Sequence, residues 1–404
     1  MTDVSAGTIT IAPEELEGRV QGALRAAGAS EASLLAATKA MMHASMLGVD
    51  SHGVRLVRHY CQMLGGGRIN KNPELRVEHK GAGSTMLDGD DGLGHYASYR
   101  AMDIACERAK ESGIAAVGIR RSSHFGAAGA YALEAAHAGM IGFATTNTDS
   151  MVPLFGGAKR FHGTNPLAFA APLPGHKPWL LDMATSSIPM NRVLLHRSLD
   201  KELPPGVAAD ESGDTVTDPH SAEMVLPLGG DEYGYKGAGL AGLATLLSAV
   251  LTGTTLDADF TPMVGADDIS TPRNMGHFVL AIDPDHFAGR AIFEMGMSRY
   301  IASLREAPTR EGHEVMAPGD REWKRAEHRR QHGCLSIWIR VGSSTLHDTK
   351  IEPATWRGRL NGGQAAFSVT SPLWRISVPR TLRHSRIKAA RAVHPLAETM
   401  VPST

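Results

Sequence analysis

Apolar residues recur along this chain at two periods, and the switches between them mark its elements. Leu16, Val20, Leu24 and Ala27 lie four, four and three residues apart, which predicts one buried face of a helix over 13–28. Pro13-Glu14-Glu15 suits its first turn, because proline is pre-set for that position and the two acids meet the positive end of the helix dipole. Gly28 can cap its end. A second helix, rich in Ala and Met, is predicted over 31–48, and the pair reads as a helical hairpin. Residues 64–75 read as a loop. Thr85 to Gly89 is strand-like. From 96 to 112 the helical period returns, with Ala101, Ile104, Ala105 and Ala109 on one face. A strand at 114–119, a small-residue helix at 127–138 and a strand at 141–146 follow. Apolar runs come at 167–171 and from Trp179. Residues 200–232, rich in Pro, Asp and Gly, predict a long functional loop. An apolar helix from Tyr233 to about Gly253 is next. A strand at 276–282, an amphipathic helix at 287–304, a turn at 317–320 and a charged helix at 321–331 complete the pattern. Strand alternating with helix predicts an α/β core.

Composition narrows the class. A chain of 404 residues exceeds one average domain and suggests two packed units. Aromatics are scarce at 5% while glycines number 44, which suits a Gly-rich α/β enzyme better than a β-sandwich. The net charge of −1 gives no bulk attraction to nucleic acid or to an anionic membrane. Cys61, Cys106 and Cys334 are far apart and form no CxxC, which argues against a disulfide scaffold or a cysteine-based zinc site and fits a cytoplasmic protein. The first residues lack the basic start and apolar core of a signal peptide. No run approaches the roughly 20 apolar residues of a membrane span.

Candidate chemistry concentrates in a few short runs. Ser51-His52 and Arg55 lie at the junction after the helical hairpin. An imidazole there can give or take a proton near neutrality, and a guanidinium offers a planar fork to a carboxylate. The same residues also suit a capped turn with solvated arginines. Between Ile119 and Asn165 two apolar runs each end in small polar residues. The first holds His124 beside Gly126 and Gly129, where backbone and ligand can come close. The second holds Thr145-Thr146-Asn147-Thr148, followed by Gly163-Thr164-Asn165-Pro166. Asp182, at the end of an apolar run, can accept ribose hydroxyls or cap the next helix. Lys236 sits between glycines at a predicted helix start, a good place for an anionic group. There is no Gly-x-Gly-x-x-Gly, no Walker P-loop, no HExxH and no GxSxG.

Taken together and in order, Gly48-Val-Asp-Ser-His-Gly-Val54, Ser123-His-Phe-Gly-Ala-Ala-Gly129, Thr146-Asn-Thr148, Gly163-Thr-Asn-Pro166, Leu181-Asp-Met-Ala-Thr-Ser186, Thr217-Asp-Pro219, Gly234-Tyr-Lys-Gly237 and Pro318-Gly319 resemble the type-2 malate/L-lactate dehydrogenase family. That family also includes ureidoglycolate, sulfolactate, piperideine-2-carboxylate and diketogulonate oxidoreductases. The resemblance covers about residues 10–333. It implies an α/β, non-Rossmann NAD(P)-binding fold spanning 81–270. A substrate and dimerisation domain would be built from 10–80 and 271–333, in a homodimer. It implies hydride transfer between NAD or NADP and C2 of a small 2-hydroxy/2-oxo acid. The alternatives it leaves are a cyclic imino acid reductase and a silent NAD(P)H-binding paralogue. No metal, nucleic-acid or membrane partner is expected. His52 with Ser51 matches the family's usual proton donor, and His124 matches the base of the ureidoglycolate branch. Arg55 is the candidate carboxylate partner, although many relatives carry that arginine one residue later, where this chain has Leu56. Thr164 is a substrate contact, and Thr148, Asp182, Met183, Ala184, Lys236, Gly237, Pro318, Gly319 and Asp320 match cofactor contacts. Imine-reducing relatives complete a Ser-His-Asp relay with an Asp ten residues past the Asp182 equivalent. Here that position is Arg192, which favours a hydroxyacid and offers a cation for a second acidic group.

From Gly333 onward the text departs from the family. Beyond 341 there are nine Lys or Arg against three Asp or Glu, an excess of six, and periodicity is lost. Suitable codons for Cys-Leu-Ser-Ile-Trp-Ile-Arg, displaced by one base, read Leu-Pro-Val-Asp-Leu-Asp-Pro, a family-like ending. Residues 334–404 are therefore expected to be a frameshifted or extended basic tail, with 341–404 poorly ordered.

Overall fold

The computed structural model of the chain describes residues 9–263 and 267–336. The expected tail beyond Ser336 lies outside the described residues. The N-terminal helices follow their periodicity: α1 (Pro13–Ala26) buries Leu16, Val20 and Leu24, each contributing roughly 2 kcal/mol of apolar burial. Ser30 caps α2 (Glu31–Leu47) by accepting a hydrogen bond from the Ser33 N–H, and Gly48 ends it in the left-handed region. Two single helical turns, Asp50–His52 and Val54–Leu56, then lead into α3 (Val57–Gly66). A strand β1 (Ile9–Ile11) ahead of α1 pairs antiparallel with Cys334–Ser336, so ordered pairing runs three residues past the expected boundary at 333.

A seven-stranded sheet forms the centre. Its strands are β2 (Arg76–His79), β3 (Ser84–Asp88), β4 (Ile114–Ser122), β5 (Ile141–Thr146), β6 (Leu167–Ala171), β7 (Trp179–Met183) and β8 (Met275–Ile282). Their spatial order is β2-β3-β4-β8-β5-β6-β7. Only β3 and β4 pair in parallel, joined by α4 (Gly94–Ser112); the other five pairings are antiparallel. Strand β8 lies in the middle, between β4 and β5. Met275–Ile282, just past the expected division at 270/271, lies inside the sheet. Likewise β2 extends the sheet into the segment expected to end at residue 80.

Helices α4 and α5 (Gly129–His137) supply Ala101, Met102, Ile104, Tyr131 and Leu133 to a core with Val117, Ile119 and Val279 of the sheet. The run 190–198, unmarked by its pattern, is helix α6 (Met190–Ser198). The predicted loop 200–232 carries a short antiparallel pair, Ala208–Ala209 with Met224–Val225, over a small core of Val152, Val193 and Leu203. Helix α7 (Tyr235–Thr245) passes into a π-helical turn, Leu246–Val250. Helices α8 (Arg290–Arg305) and α9 (Asp320–His332) close the described chain. Arg329 of α9 is buried and forks onto Asp50 at 2.6 and 2.8 Å, tying the C-terminal helix to the turn that carries His52.

Candidate active site

One edge of the sheet gathers the polar ends of β4, β5 and β7 and the start of β8. The antiparallel pairings dictate this, since Met275 stands opposite Ser122, His277 opposite Thr146, and Leu167 opposite Met183. His277 is fully buried and satisfied at both nitrogens, Nδ1 with Thr146 Oγ1 at 2.7 Å and Nε2 with Ser122 Oγ at 2.9 Å. Burial lowers its pKa to about 3, so it stays neutral and stitches two strand ends together.

Above it lie the two sequence-predicted histidines. The rings of His52 and His124 are stacked with centroids 5.7 Å apart. Each Nδ1 meets a hydroxyl at 2.7 Å: Ser51 Oγ for His52, and Tyr60 Oη for His124. The Gly126 N–H also reaches His124 Nδ1, at 3.4 Å, which makes that nitrogen the acceptor and has Tyr60 donate to it. Neither Nε2 has a hydrogen-bond partner among the described residues. Burial, then the Arg55 guanidinium, lowers His52 to about 4. Burial, then His52, holds His124 well below its ordinary value. Both imidazoles are thus neutral near pH 7. Gly126 has φ +78°, so a side chain there is strained, and a Cβ would stand in ordinary contact with His95 and the His52 carbonyl.

Sequence reading missed Tyr60 and His95 as site residues. Tyr60 is fully buried and stands edge-on to His95, with centroids 4.8 Å apart. His95 is also fully buried, and neither ring nitrogen has a partner among the described residues. The signal for Tyr60 was its position two turns along from His52; His95 carried none.

The loop from His124 leads to Gly129, whose N–H donates to Asp182 Oδ2 at 2.9 Å. Burial raises Asp182 to about 6 despite that bond. A Cβ on Gly129 would fall 2.7 Å from the same carboxylate. Beyond it, a ladder of backbone bonds links the remaining predicted residues. Thr164 N–H donates to Thr148 Oγ1 at 3.1 Å, Thr185 N–H to the Thr164 carbonyl at 2.9 Å, Leu228 N–H to Thr185 at 2.8 Å, and Gly237 N–H to Leu228 at 3.1 Å. Met183 and Ala184, half-buried at the end of β7, stand beside this ladder. Gly163 packs against Thr148 so closely that a Cβ would meet its Oγ1 at 2.1 Å.

A buried carboxylate that the sequence did not advertise fixes this second loop. Asp257 is 3% exposed. Its Oδ2 accepts from Gly163 N–H at 3.0 Å and Asn165 Nδ2 at 2.7 Å, and its Oδ1 accepts from Asn147 Nδ2 at 2.9 Å. Burial pushes its pKa up, but donors from His162, Gly163, Asn165 and Asn147 outweigh that and hold it below the usual carboxylate range.

The other candidates lie apart. Lys236 is exposed over the rings of Tyr233 and Tyr235, at 5.3 and 5.8 Å. Pro318 accepts from Leu180 N–H at 3.2 Å, and Gly319 takes φ +96° against Leu180 and Trp323. Asp320 is already engaged, accepting from Ala317 N–H at 2.9 Å and Arg305 at 2.6 Å. Arg192 is exposed on α6 and makes no side-chain bond among the described residues.

Comparison with known proteins identifies the family. The family model described as malate/L-lactate dehydrogenase matches residues 11–338. Malate dehydrogenase of Pyrococcus abyssi is 35% identical over 310 residues, covering 75% of this chain and 84% of that protein. Ureidoglycolate dehydrogenase (NAD(+)) of Escherichia coli is 34% identical over 310 residues, covering 76% and 87%. The solved malate dehydrogenase of Pyrococcus horikoshii superposes with a TM-score of 0.75 at 31% identity, covering 83% of this chain and 93% of that one. A (2R)-3-sulfolactate dehydrogenase (NADP(+)) of Chromohalobacter salexigens is 32% identical, covering 77% and 90%. The solved piperideine-2-carboxylate reductase of Pseudomonas syringae has a TM-score of 0.71 at 26% identity, covering 81% and 96%. The chain therefore belongs to the malate/L-lactate dehydrogenase family, among dehydrogenases that use NAD(+) or NADP(+).

Proposed function

We propose that this protein is an NAD(P)-dependent oxidoreductase moving a hydride to or from C2 of a small 2-hydroxy/2-oxo acid. The observation that carries the reading is the facing pair of neutral imidazoles, each fixed at Nδ1 by a hydroxyl and open at Nε2. Oxidising a hydroxyacid needs a base for the hydroxyl proton, and a neutral imidazole with its hydrogen on Nδ1 offers Nε2 as that base. In reduction the same nitrogen, once loaded, returns the proton to the alkoxide. His52, whose Nδ1 can donate to Ser51 and leave Nε2 unprotonated, is our first choice for this role; His124, whose Nδ1 accepts from Tyr60 and whose Nε2 therefore carries the hydrogen, is the second, as the proton donor in reduction. Arg55 would hold the C1 carboxylate, and Thr164 the substrate's remaining polar edge.

The chain's residues fit a nicotinamide dinucleotide. The ammonium of Lys236 opens an 11-residue helix and has no ion-pair partner among the described residues, as a phosphate contact requires. Asp182, held by one backbone N–H, can still accept from ribose hydroxyls. Thr148, Met183, Ala184 and Gly237 line the ladder between them, with the turn Pro318-Gly319-Asp320 against β7. The nicotinamide supplies or accepts the hydride. A cofactor fold other than Rossmann is supported by five antiparallel pairings in the sheet and by the missing glycine fingerprint. A second domain built from both chain segments is supported by the pairing of β1 with Cys334–Ser336. A homodimer is supported by exposed apolar side chains such as Val250 at 64% and Met295 at 67%.

The imino acid reductase reading rests on the Pseudomonas syringae relative. Against it, no carboxylate reaches Ser51 among the described residues to complete a Ser-His-Asp relay. The test is a 340 nm assay with NADH and NADPH against pyruvate, oxaloacetate, sulfopyruvate and a cyclic imino acid, with the hydroxyacids in reverse. Turnover of an oxo acid, reduced about 100- to 10,000-fold in His52→Ala, supports the proposal. Turnover of the imino acid alone moves the assignment to the reductase. Cofactor binding without turnover of any compound refutes it in favour of a silent paralogue.

A further inference from the structure

We infer that helix α9 is a strut between the two halves of the site, and that Arg329 is the positioning residue that joins it to the turn of Ser51 and His52. What the two ends do rests on the oxidoreductase reading. Hydride and proton leave or reach one substrate carbon and its oxygen, so the base and the nicotinamide have to be placed against each other. A misplacement of about 1 Å costs on the order of 100-fold in rate. The groups assigned to those tasks, Ser51-His52 and Asp182-Met183-Ala184, come from distant segments of the chain. Helix α9 touches both. At its start the Leu180 N–H donates to the Pro318 carbonyl at 3.2 Å, and Trp323 Nε1 donates to the Pro178 carbonyl at 2.9 Å. The helix is thereby seated on β7 just before Asp182. In its middle, Ala326 is buried in the core that also holds Leu47 of α2. At its far end a Cβ on Gly48 would meet Arg325 Cγ at 2.9 Å, and Arg329 is 4% exposed. The helix is 13 residues long, about 20 Å, and makes a stiff link.

The turn needs that hold. Asp50–His52 is a single helical turn with no buried residue of its own, and one turn is marginal without outside contacts. Backbone bonds tie its flanks to α2: the Val49 N–H donates to the Ala44 carbonyl at 2.8 Å, and the Val54 N–H to Ser45 Oγ at 3.0 Å. Among the described residues Arg329 is the one side chain from elsewhere in the chain that bonds the turn itself. Its Nη1 donates to the Ser45 carbonyl and to Asp50 Oδ1 at 2.6 Å, and its Nη2 to Asp50 Oδ2 at 2.8 Å. A planar fork on both carboxylate oxygens fixes direction as well as distance, which a lysine ammonium cannot do. The contact between Ser51 and His52 lies within the turn. Without the fork the imidazole and its hydroxyl partner would tilt together, away from the cofactor end, while the contacts assigned to the cofactor stay as they are.

The test compares full-length wild type with Arg329→Met, Arg329→Lys and Arg330→Met, with folding checked by circular dichroism and melting. Turnover is followed at 340 nm, the Kd for NADH and NADPH by fluorescence, and the place of the Asp50–His52 turn by crystal structures superposed on the central sheet. We expect kcat to fall about 30-fold in Arg329→Met, with the cofactor Kd unchanged and the turn displaced. Arg329→Lys should recover only part of the loss. Arg330→Met, on the neighbouring exposed residue that pairs with Glu327, should change neither quantity. An unchanged kcat in folded Arg329→Met overturns the proposal, as does an unmoved turn. A cofactor Kd that rises in step with the fall in kcat also overturns it, since that marks general loosening. If Arg329→Met does not fold, Arg329→Lys is read by the same criteria. In a wild type that turns over no compound, a displaced turn in the variant keeps the strut and sinks the oxidoreductase reading, and an unmoved turn sinks the strut.

Discussion

The knot around Asp257 and the cluster around His52 and His124 lie at the same sheet edge and are built on opposite rules. Around Asp257 nearly every polar group is used: Gly163, Asn147, Asn165 and Thr245 all donate to one carboxylate, and the side-chain amide oxygen of Asn147 is the one atom of this group without a partner among the described residues. Around the imidazoles the opposite holds. Among the described residues His95 is unpartnered at both nitrogens, and the Nε2 atoms of His52 and His124 are left open. A satisfied buried network fixes geometry, while an unsatisfied one costs stability and is kept where it does work. The first region holds the Gly163-Thr164-Asn165 turn in a conformation its own sequence resists, with Asn165 at φ 23°. The second keeps proton-carrying groups neutral and available.

The sharpest way to break this contrast is Asp257→Ala. It strands several buried donors and should cost about 3–5 kcal/mol, read as a large drop in the denaturant midpoint. A change under about 1 kcal/mol would show that the knot is incidental. Tyr60→Phe should act in the other sense. It removes the hydroxyl from His124 and should lower kcat about tenfold with a shift in the pH profile, at a stability cost near 1 kcal/mol. An unaltered profile would show that the tyrosine only fills space. The smallest effect concerns pH. The folded pKa values of His52 and His59 lie near 4 and those of His95 and His277 near 3, all below the unfolded value of about 6.5. The unfolded chain therefore binds protons first as pH falls. Stability from these groups is complete above about pH 6.5 and is lost progressively toward pH 3–4. The melting temperature should decline over that window, and less so in His95→Phe. A flat profile would contradict the burial of these rings.

Periodicity alone placed α1, α2, α4, β4, β5, β8 and α9 within a few residues, because each buries one face and repeats at its own period. The run 190–198 buries only Val193, so no apolar face marked it. Local chemistry marked Ser51-His52, His124 and Asp182 as candidates beside a competing capping use, and the family resemblance added Thr164. What the sequence could not rank was contact across distance. It singled out Arg192, which is exposed on α6, because an arginine reads the same whether exposed or buried. It passed over Asp257, 92 residues from Asn165, because a lone aspartate in a loop has no period. The sequence by itself determined the elements and the family, through local patterns of burial and turn chemistry. Only the tertiary structure decided which polar groups are satisfied and which are left open, because that depends on strand order, with β8 inserted between β4 and β5.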